Sequence, residues 1–270
     1  MKKLIVTAIA AALVAATFSG CAKKAGAKGD NSLADLKARG VFVLGLDDSF
    51  PPLGFRDENN EIVGFDIDLA KEVSKRLGVQ FKAQPINWDS KEQELNTGKI
   101  DCIWNGLTIT DERKKNLSFS KPYLANKQVL VVRANSGYKK LSDLDGKTIA
   151  LQSGSSAEDA VNDTPDFKKS VKDIVFLDQN LMALNDLVIG GVDGVVMDSV
   201  VAEYAIAESG MPLVLLDESL ASEEYGIAFR KQDVQLTEAV QKTLEEMAAD
   251  GTVARISTAW FGSDITVIGK

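Results

Sequence analysis

From residue 41 onward, short apolar runs alternate with stretches whose apolar positions recur every three or four residues. Residues 41–46, 81–83, 100–103, 129–132, 149–152, 174–177 and 194–197 are rich in Val, Ile and Phe and read as strands. Between them, residues 91–97, 157–161, 182–189, 199–208 and 236–250 read as helices. Another helix follows Asp66, an expected cap, with Leu69, Val73 and Leu77 on one face and Gly78 as its stop. Pro51 and Pro52 force a non-helical turn after the first strand. Such alternation predicts an α/β chain with parallel sheets covered by helices on both faces. In sheets of that kind, ligands collect where strand carboxyl ends meet helix N-termini.

The first residues have a different pattern. Lys2 and Lys3 precede an uncharged, mostly apolar run over residues 4–18, and Phe18-Ser19-Gly20-Cys21 sets small residues before a thiol. Fifteen helical residues span roughly 22 Å, short of the roughly 30 Å hydrocarbon core of a membrane. The run therefore reads as an export signal over residues 1–20. The cluster resembles the lipobox at which exported bacterial lipoproteins are cut before an acylated cysteine, here Cys21, with Phe18 where that pattern more often has Leu. Residues 21–32 lack apolar periodicity and suit a tether. The expected product is an extracytoplasmic protein, lipid-anchored to the cell membrane.

Charge and residue counts remove several functions. The formal net charge is −8, and loss of Lys2 and Lys3 with the leader takes it to about −10, which repels nucleic acid. With Cys21 acylated, Cys102 stands alone within an apolar run, so no internal disulfide forms and an inert core thiol is expected. The absence of histidine excludes Ser-His-Asp and Cys-His catalysis and the usual zinc sites. No cofactor, metal or catalytic residue is expected, and the chain reads as a monomer.

Three strand-to-helix junctions carry polar groups that a core would not want. After the strand with Cys102 comes Asn105-Gly106-Leu107-Thr108-Ile109-Thr110-Asp111-Glu112-Arg113. Thr110 can cap the next helix, which puts Arg113 in its first turn, where a cation is unfavourable unless an anion lies nearby. A solvated arginine beside Glu112 is the plainer alternative. Gln152-Ser153-Gly154-Ser155-Ser156 forms a second junction, able to surround an oxyanion or simply to cap a helix. It lacks the lysine of a P-loop. Asp198 ends the run Val195-Val196-Met197, where it can receive an ammonium or cap the helix from Ser199 onward. Together these groups outline a site for an amino-acid zwitterion.

Several segments also resemble one family. Gly64-Phe65-Asp66-Ile67-Asp68-Leu69-Ala70, Ile100-Asp101, Leu107-Thr108-Ile109-Thr110 with Arg113, Phe119-Ser120 with Pro122-Tyr123, and Gly154-Ser155-Ser156 are similar to the polar amino-acid-binding proteins of ABC importers, solute-binding proteins of bacterial family 3. The resemblance implies a two-lobed periplasmic-binding-protein-like fold of type II. Lobe 1 would comprise residues 33–124 and 226–270, lobe 2 residues 128–221, with hinges near 125–127 and 221–226. It implies Arg113, Thr108, Ser155 and Ser156 on an α-carboxylate, and Asp198 and the Gly106 backbone on an α-ammonium. Phe50 and Trp88 would flank the ligand side chain, Asp47 would reach its far end, and Asn105 would line the same wall. A core position is the alternative for Trp88. The family often has an apolar pattern after that tryptophan, where this chain has Asp89-Ser90-Lys91-Glu92-Gln93-Glu94.

The function so implied is capture of a polar or basic L-amino acid and its delivery to an ABC permease, without chemistry. Two other readings stay open. An exported lyase or dehydratase would use Asp47 and Asp198 for proton transfer, and a ligand-sensing module would signal to a membrane partner.

Overall fold

A computed structural model describes residues 29–270. The chain runs α1 (Ser32–Arg39), β1 (Val41–Leu46), β2 (Ser49–Phe50), β3 (Gly54–Arg56), β4 (Ile62–Val63), α2 (Phe65–Leu77), β5 (Gln80–Pro85), α3 (Lys91–Asn96), β6 (Cys102–Ile103), α4 (Asp111–Asn116) and β7 (Leu117–Phe119). It continues with β8 (Leu124–Arg133), β9 (Thr148–Gln152), α5 (Ser156–Asn162), α6 (Pro165–Ser170), β10 (Asp173–Leu177), α7 (Asn180–Ile189), β11 (Gly194–Asp198), α8 (Ser199–Ser209), β12 (Leu213–Tyr225), β13 (Ala228–Arg230), α9 (Val234–Ala249) and α10 (Thr252–Phe261).

These strands form two five-stranded sheets, ordered β5-β1-β6-β13-β7 and β10-β9-β11-β8-β12, and a small sheet β2-β3-β4. The first sheet takes strands from both ends of the described chain and the second takes the middle, as in a type II two-lobed binding protein. Pairing is parallel where helices cross over, between β1 and β5 and between β9 and β10. It is antiparallel where β8, β12 and β13 enter. Each sheet is thus mixed, parallel among its helix-connected strands and antiparallel where β8, β12, β7 and β13 join.

The strand expected at residues 129–132 is the inner half of β8. Its outer half pairs with β12, placing Ala125 opposite Glu224, Asn126 opposite Glu223 and Lys127 opposite Ser222. The segments joining the two sheets are therefore hydrogen-bonded to each other. Residues 100–103 yield only Cys102–Ile103 as strand, because Asp101 turns in to accept hydrogen bonds from Arg39 and from the Val43 N–H.

The cap assigned to Asp66 is also corrected. Gly64 occupies the N-cap of α2, at φ 144°, where a Cβ would fall 2.2 Å from the Leu53 carbonyl oxygen. Asp66 is the second residue of the helix, fully buried like Leu69, Ala70 and Val73. Cys102 is fully buried, and burial pushes its thiol pKa well above the usual range.

Candidate functional site

Seven of the ten sequence-selected binding residues meet around one cavity between the two sheets. Phe50, Trp88, Gly106, Arg113, Ser155, Ser156 and Asp198 line about 210 Å³ of unfilled space. Only about 10 Å³ of it admits the centre of a water-sized sphere, room for roughly one water, so the walls stand close together. A wider groove of about 650 Å³, open to solvent, lies beside the paired segments of β8 and β12 and is lined by Thr108, Ser156 and Glu223. The small cavity is the better candidate, because charges of both signs and two aromatic rings converge on it.

Each wall has a local cause. Thr110 caps α4, its hydroxyl accepting from the Arg113 N–H at 3.1 Å, and this fixes Arg113 two residues inside the helix. Arg113 is 8% exposed, and its guanidinium donates only to backbone carbonyls, Thr108 O at 2.8 Å and Gly154 O at 3.3 Å. Among the described residues no carboxylate pairs with it. Burial lowers its pKa from the usual arginine value. A buried cation with no anionic partner is costly unless something supplies one.

On the other side, Asp198 ends β11 at the N-cap of α8, but its side chain makes no capping bond there. Its Oδ1 accepts instead from Asn126 Nδ2 at 2.6 Å, Gln128 Nε2 at 3.0 Å and the Tyr225 hydroxyl at 2.7 Å. Burial, then the nearby Glu223 carboxylate, raise its pKa to about 7. Glu223 Oε2 accepts from the same two amides, both at 3.0 Å, and from the Thr108 hydroxyl at 2.9 Å. Two carboxylates thus share donors beside the cavity with no cation paired to either among the described residues.

Gly106 follows β6 at φ 60°, where an added Cβ would lie 2.7 Å from Leu53 Cδ1 and 2.8 Å from Phe50 Cε1. Its N–H donates to Asp66 Oδ2 at 2.9 Å. Tyr123 donates to the same oxygen at 2.8 Å, and burial raises the Asp66 pKa to about 7. Asp66 Oδ1 and the Trp104 Nε1 are both buried without a partner. Trp88 sits in a turn capped by Asn87, whose Oδ1 accepts from the Asp89 and Ser90 N–H groups.

The turn from β9 into α5 closes the cavity from the second sheet. Ser155 donates to Gln152 O at 2.7 Å, and Ser156 donates to the Thr108 hydroxyl at 3.0 Å across the cleft. Asp47 and Asn105 lie outside the lining. Asp47 Oδ1 accepts from Ser49 and its Oδ2 from Gln152 Nε2 at 2.7 Å, while burial raises its pKa. Asn105 Oδ1 accepts from the Asp47 N–H, and its Nδ2 is buried without a partner. Thr108 joins the site through its contacts with Arg113, Ser156 and Glu223 rather than through the wall.

Sequence reasoning passed over Asn126, Gln128, Gln152, Glu223, Tyr225 and Lys91. Gln128 alone left a sequence signal, an amide directly before the apolar run 129–132, and the fold buries it fully. Among the described residues, no group of three His, Cys, Asp or Glu side chains is placed to hold a metal, and no helix is long and apolar enough to cross a membrane.

The sequence model of the bacterial extracellular solute-binding proteins, family 3, matches residues 42–263. The chain belongs to this family. Among relatives of this family 3 protein, the L-cystine-binding protein TcyJ of Escherichia coli is 32% identical over 238 residues, 87% of each chain. A Streptococcus pneumoniae substrate-binding protein of an ABC uptake transporter, solved with bound histidine, superposes with a TM-score of 0.86 at 35% identity, covering 88% of this chain and 99% of the other. An ancestral arginine-binding protein, solved with arginine, gives 0.77 at 41% identity over 83% and 99% of the two chains. The homologues are amino-acid-binding proteins.

The lipoprotein reading, including Cys21, falls on residues outside the described ones.

Proposed function

We propose that this family 3 protein captures a free L-amino acid with a polar or basic side chain between two lobes and delivers it to an ABC permease, without chemical conversion. In this reading it is a lipid-anchored extracytoplasmic receptor. Its lobes comprise residues 33–124 with 226–270 and residues 128–221, and they hinge where β8 pairs with β12. The observation that carries the reading is the buried Arg113, with no carboxylate partner among the described residues, lining the same cavity between the two sheets as Asp198. A zwitterion supplies the anion that Arg113 lacks and the cation that Asp198 and Glu223 lack.

Phe50 and Trp88 enclose the side chain, and the ring faces with the acidic surroundings favour a cationic or amide tip. Relatives named for cystine, histidine and arginine support this substrate class. The lyase reading draws no support from Asp47, whose two oxygens are already engaged by Ser49 and Gln152.

The test is thermal unfolding of the purified protein, refolded to strip endogenous ligand, against the twenty amino acids with cystine, ornithine and citrulline. A ligand that binds only the native state raises the midpoint. One or a few L-amino acids with clear shifts are expected. Silence across the panel, or wild-type affinity in Arg113→Ala by calorimetry, overturns the reading.

A further inference from the structure

Lys91 stands in the acidic stretch that departs from the family pattern, and the fold buries it to 5% exposure at the start of α3. Its Nζ donates to Trp88 O at 3.1 Å and to Gly154 O at 2.8 Å, and it lies 5.0 Å from the Trp88 ring centroid. Gly154 O is the same oxygen that Arg113 reaches from α4. Two buried cations carried by elements of the first sheet therefore converge on one carbonyl of the second. All their side-chain hydrogen bonds go to backbone carbonyls, and no carboxylate is paired with either among the described residues.

Closing the cleft must strip water from both cations at once and bring them onto a shared acceptor. Carbonyl dipoles and the Trp88 ring offset part of that penalty, but like charges at short range in a desolvated site repel strongly. We propose that Lys91 is a second cationic determinant of the site, which together with Arg113 makes closure of the lobes depend on an anion supplied by the ligand. This rests on the two-lobe capture reading and deepens it. A free carboxylate beside Arg113 offsets both charges, whereas a ligand whose carboxylate is masked as an amide leaves both unpaired. The pair thus works as a specificity filter, rejecting amides and disfavouring closure over an unfilled cavity.

Proton linkage gives the sign of a second consequence. Burial, then Arg113, lower the Lys91 pKa from 10.5 to about 8 in this closed arrangement. The other charged groups facing it are Glu92 and Asp89 on its own segment and Asp159 on α5. Because the closed form holds this proton less tightly than a solvated lysine does, closure releases it. Ligand-free closure therefore becomes easier as pH rises from about 8 toward 10.5.

The experiment measures spin-label distances between Lys82→Cys and Lys168→Cys, one exposed site on each lobe, without ligand at pH 7 and 9.5. It then compares affinities for L-arginine, L-histidine and L-glutamine with those for their α-carboxamides. In the otherwise wild-type protein the ligand-free closed fraction should rise between pH 7 and 9.5. Lys91→Met should raise that fraction at pH 7, remove its pH response and cut the preference for acid over amide at least fivefold. Lys91→Arg should match wild type at pH 7 and stay flat to pH 9.5, which decides the matter should Lys91→Met fail to fold. An unchanged closed fraction and unchanged acid preference in Lys91→Met, or a pH response retained in Lys91→Arg, overturns the proposal. If no probe binds the wild type, the amino-acid reading fails by itself, and the ligand-free distances still decide the role of Lys91.

Discussion

Asp198→Asn separates the charge of the site from its shape, and it should move binding and stability in opposite directions. Asp198 Oδ1 accepts three hydrogen bonds, from Asn126, Gln128 and Tyr225, and an asparagine carbonyl can accept the same three. In the proposed capture reading, the substitution removes the negative charge that the ligand ammonium meets. Losing one partner of a desolvated charge pair costs about 2–5 kcal/mol, which is roughly a 30- to 4,000-fold rise in Kd at about 1.4 kcal/mol per tenfold.

The free protein should respond the other way. The Asp198 pKa is raised from 3.8 to about 7, chiefly by burial and then by Glu223. A carboxyl that holds its proton more tightly when folded favours the folded state at low pH, and that advantage is lost as pH rises from about 4 to about 7. At pH 8 the wild type therefore carries a buried charge that asparagine lacks. The variant should be more stable there by an amount of order 1 kcal/mol or more, since a tenfold difference in proton affinity between the folded and unfolded states is worth about 1.4 kcal/mol.

Binding has its own pH signature. Below about pH 7 the ammonium must displace a proton from Asp198, so the wild-type Kd should rise by up to about tenfold for each pH unit of acidification. The asparagine variant should show no such slope. Calorimetry with the amino acid selected by the thermal panel, at pH 5.5, 7 and 8.5, reads the binding arm, and urea unfolding reads the stability arm. Affinity within threefold of wild type, or an equal pH slope in both proteins, refutes the assignment of the ammonium to Asp198.

Three further substitutions probe other parts of the molecule. Trp88→Ala should weaken binding at least tenfold by calorimetry, because it opens the aromatic wall and also removes the ring under Lys91; unchanged affinity would return Trp88 to the core. Gly106→Ala forces a Cβ into left-handed backbone 2.8 Å from Phe50 Cε1, so urea unfolding should show a loss of about 2–4 kcal/mol, with weaker binding as Phe50 is displaced. Asp101→Ala removes a buried carboxylate that holds Arg39 Nη2 at 2.7 Å and the Val43 N–H at 2.8 Å. It should destabilise by about 2–4 kcal/mol, allowing for the exposed Arg39, and leave ligand affinity unchanged.

Features that local physics determines were legible in the sequence. The helix α2 is marked by Leu69, Val73 and Leu77 at fourfold spacing with Gly78 in the left-handed conformation as its stop. Thr110 and Arg113 were readable because a cap and its first turn are three residues apart. The error at Asp66 has the same root. An aspartate near a helix start is normally a cap, and only the contact with Gly106 and Tyr123, 40 and 57 residues away, draws it inside. The long strand β12 was missed because its residues 217–219 and 222–224 are polar, as suits a strand partly open to solvent and interrupted by register shifts.

The pairing of β8 with β12 explains the rest of what stayed hidden, and why the site draws on both sheets. Asn126 and Gln128 lie two residues apart on β8, so their side chains share one face. Glu223 is the register partner of Asn126 on β12, and Tyr225 lies on the same face two residues on. That face carries no charge pattern in the sequence. Folding turns it into a platform of amides and a hydroxyl that holds Asp198 and Glu223 side by side. The two carboxylates at the junction of the sheets lack a cation, and Arg113 with Lys91 at the cleft lacks an anion. Each half of this imbalance is unfavourable in a buried site, and one zwitterion of the right length relieves both at once. In the proposed capture reading, relief of this unpaired charge ties recognition of the ligand to closure of the lobes.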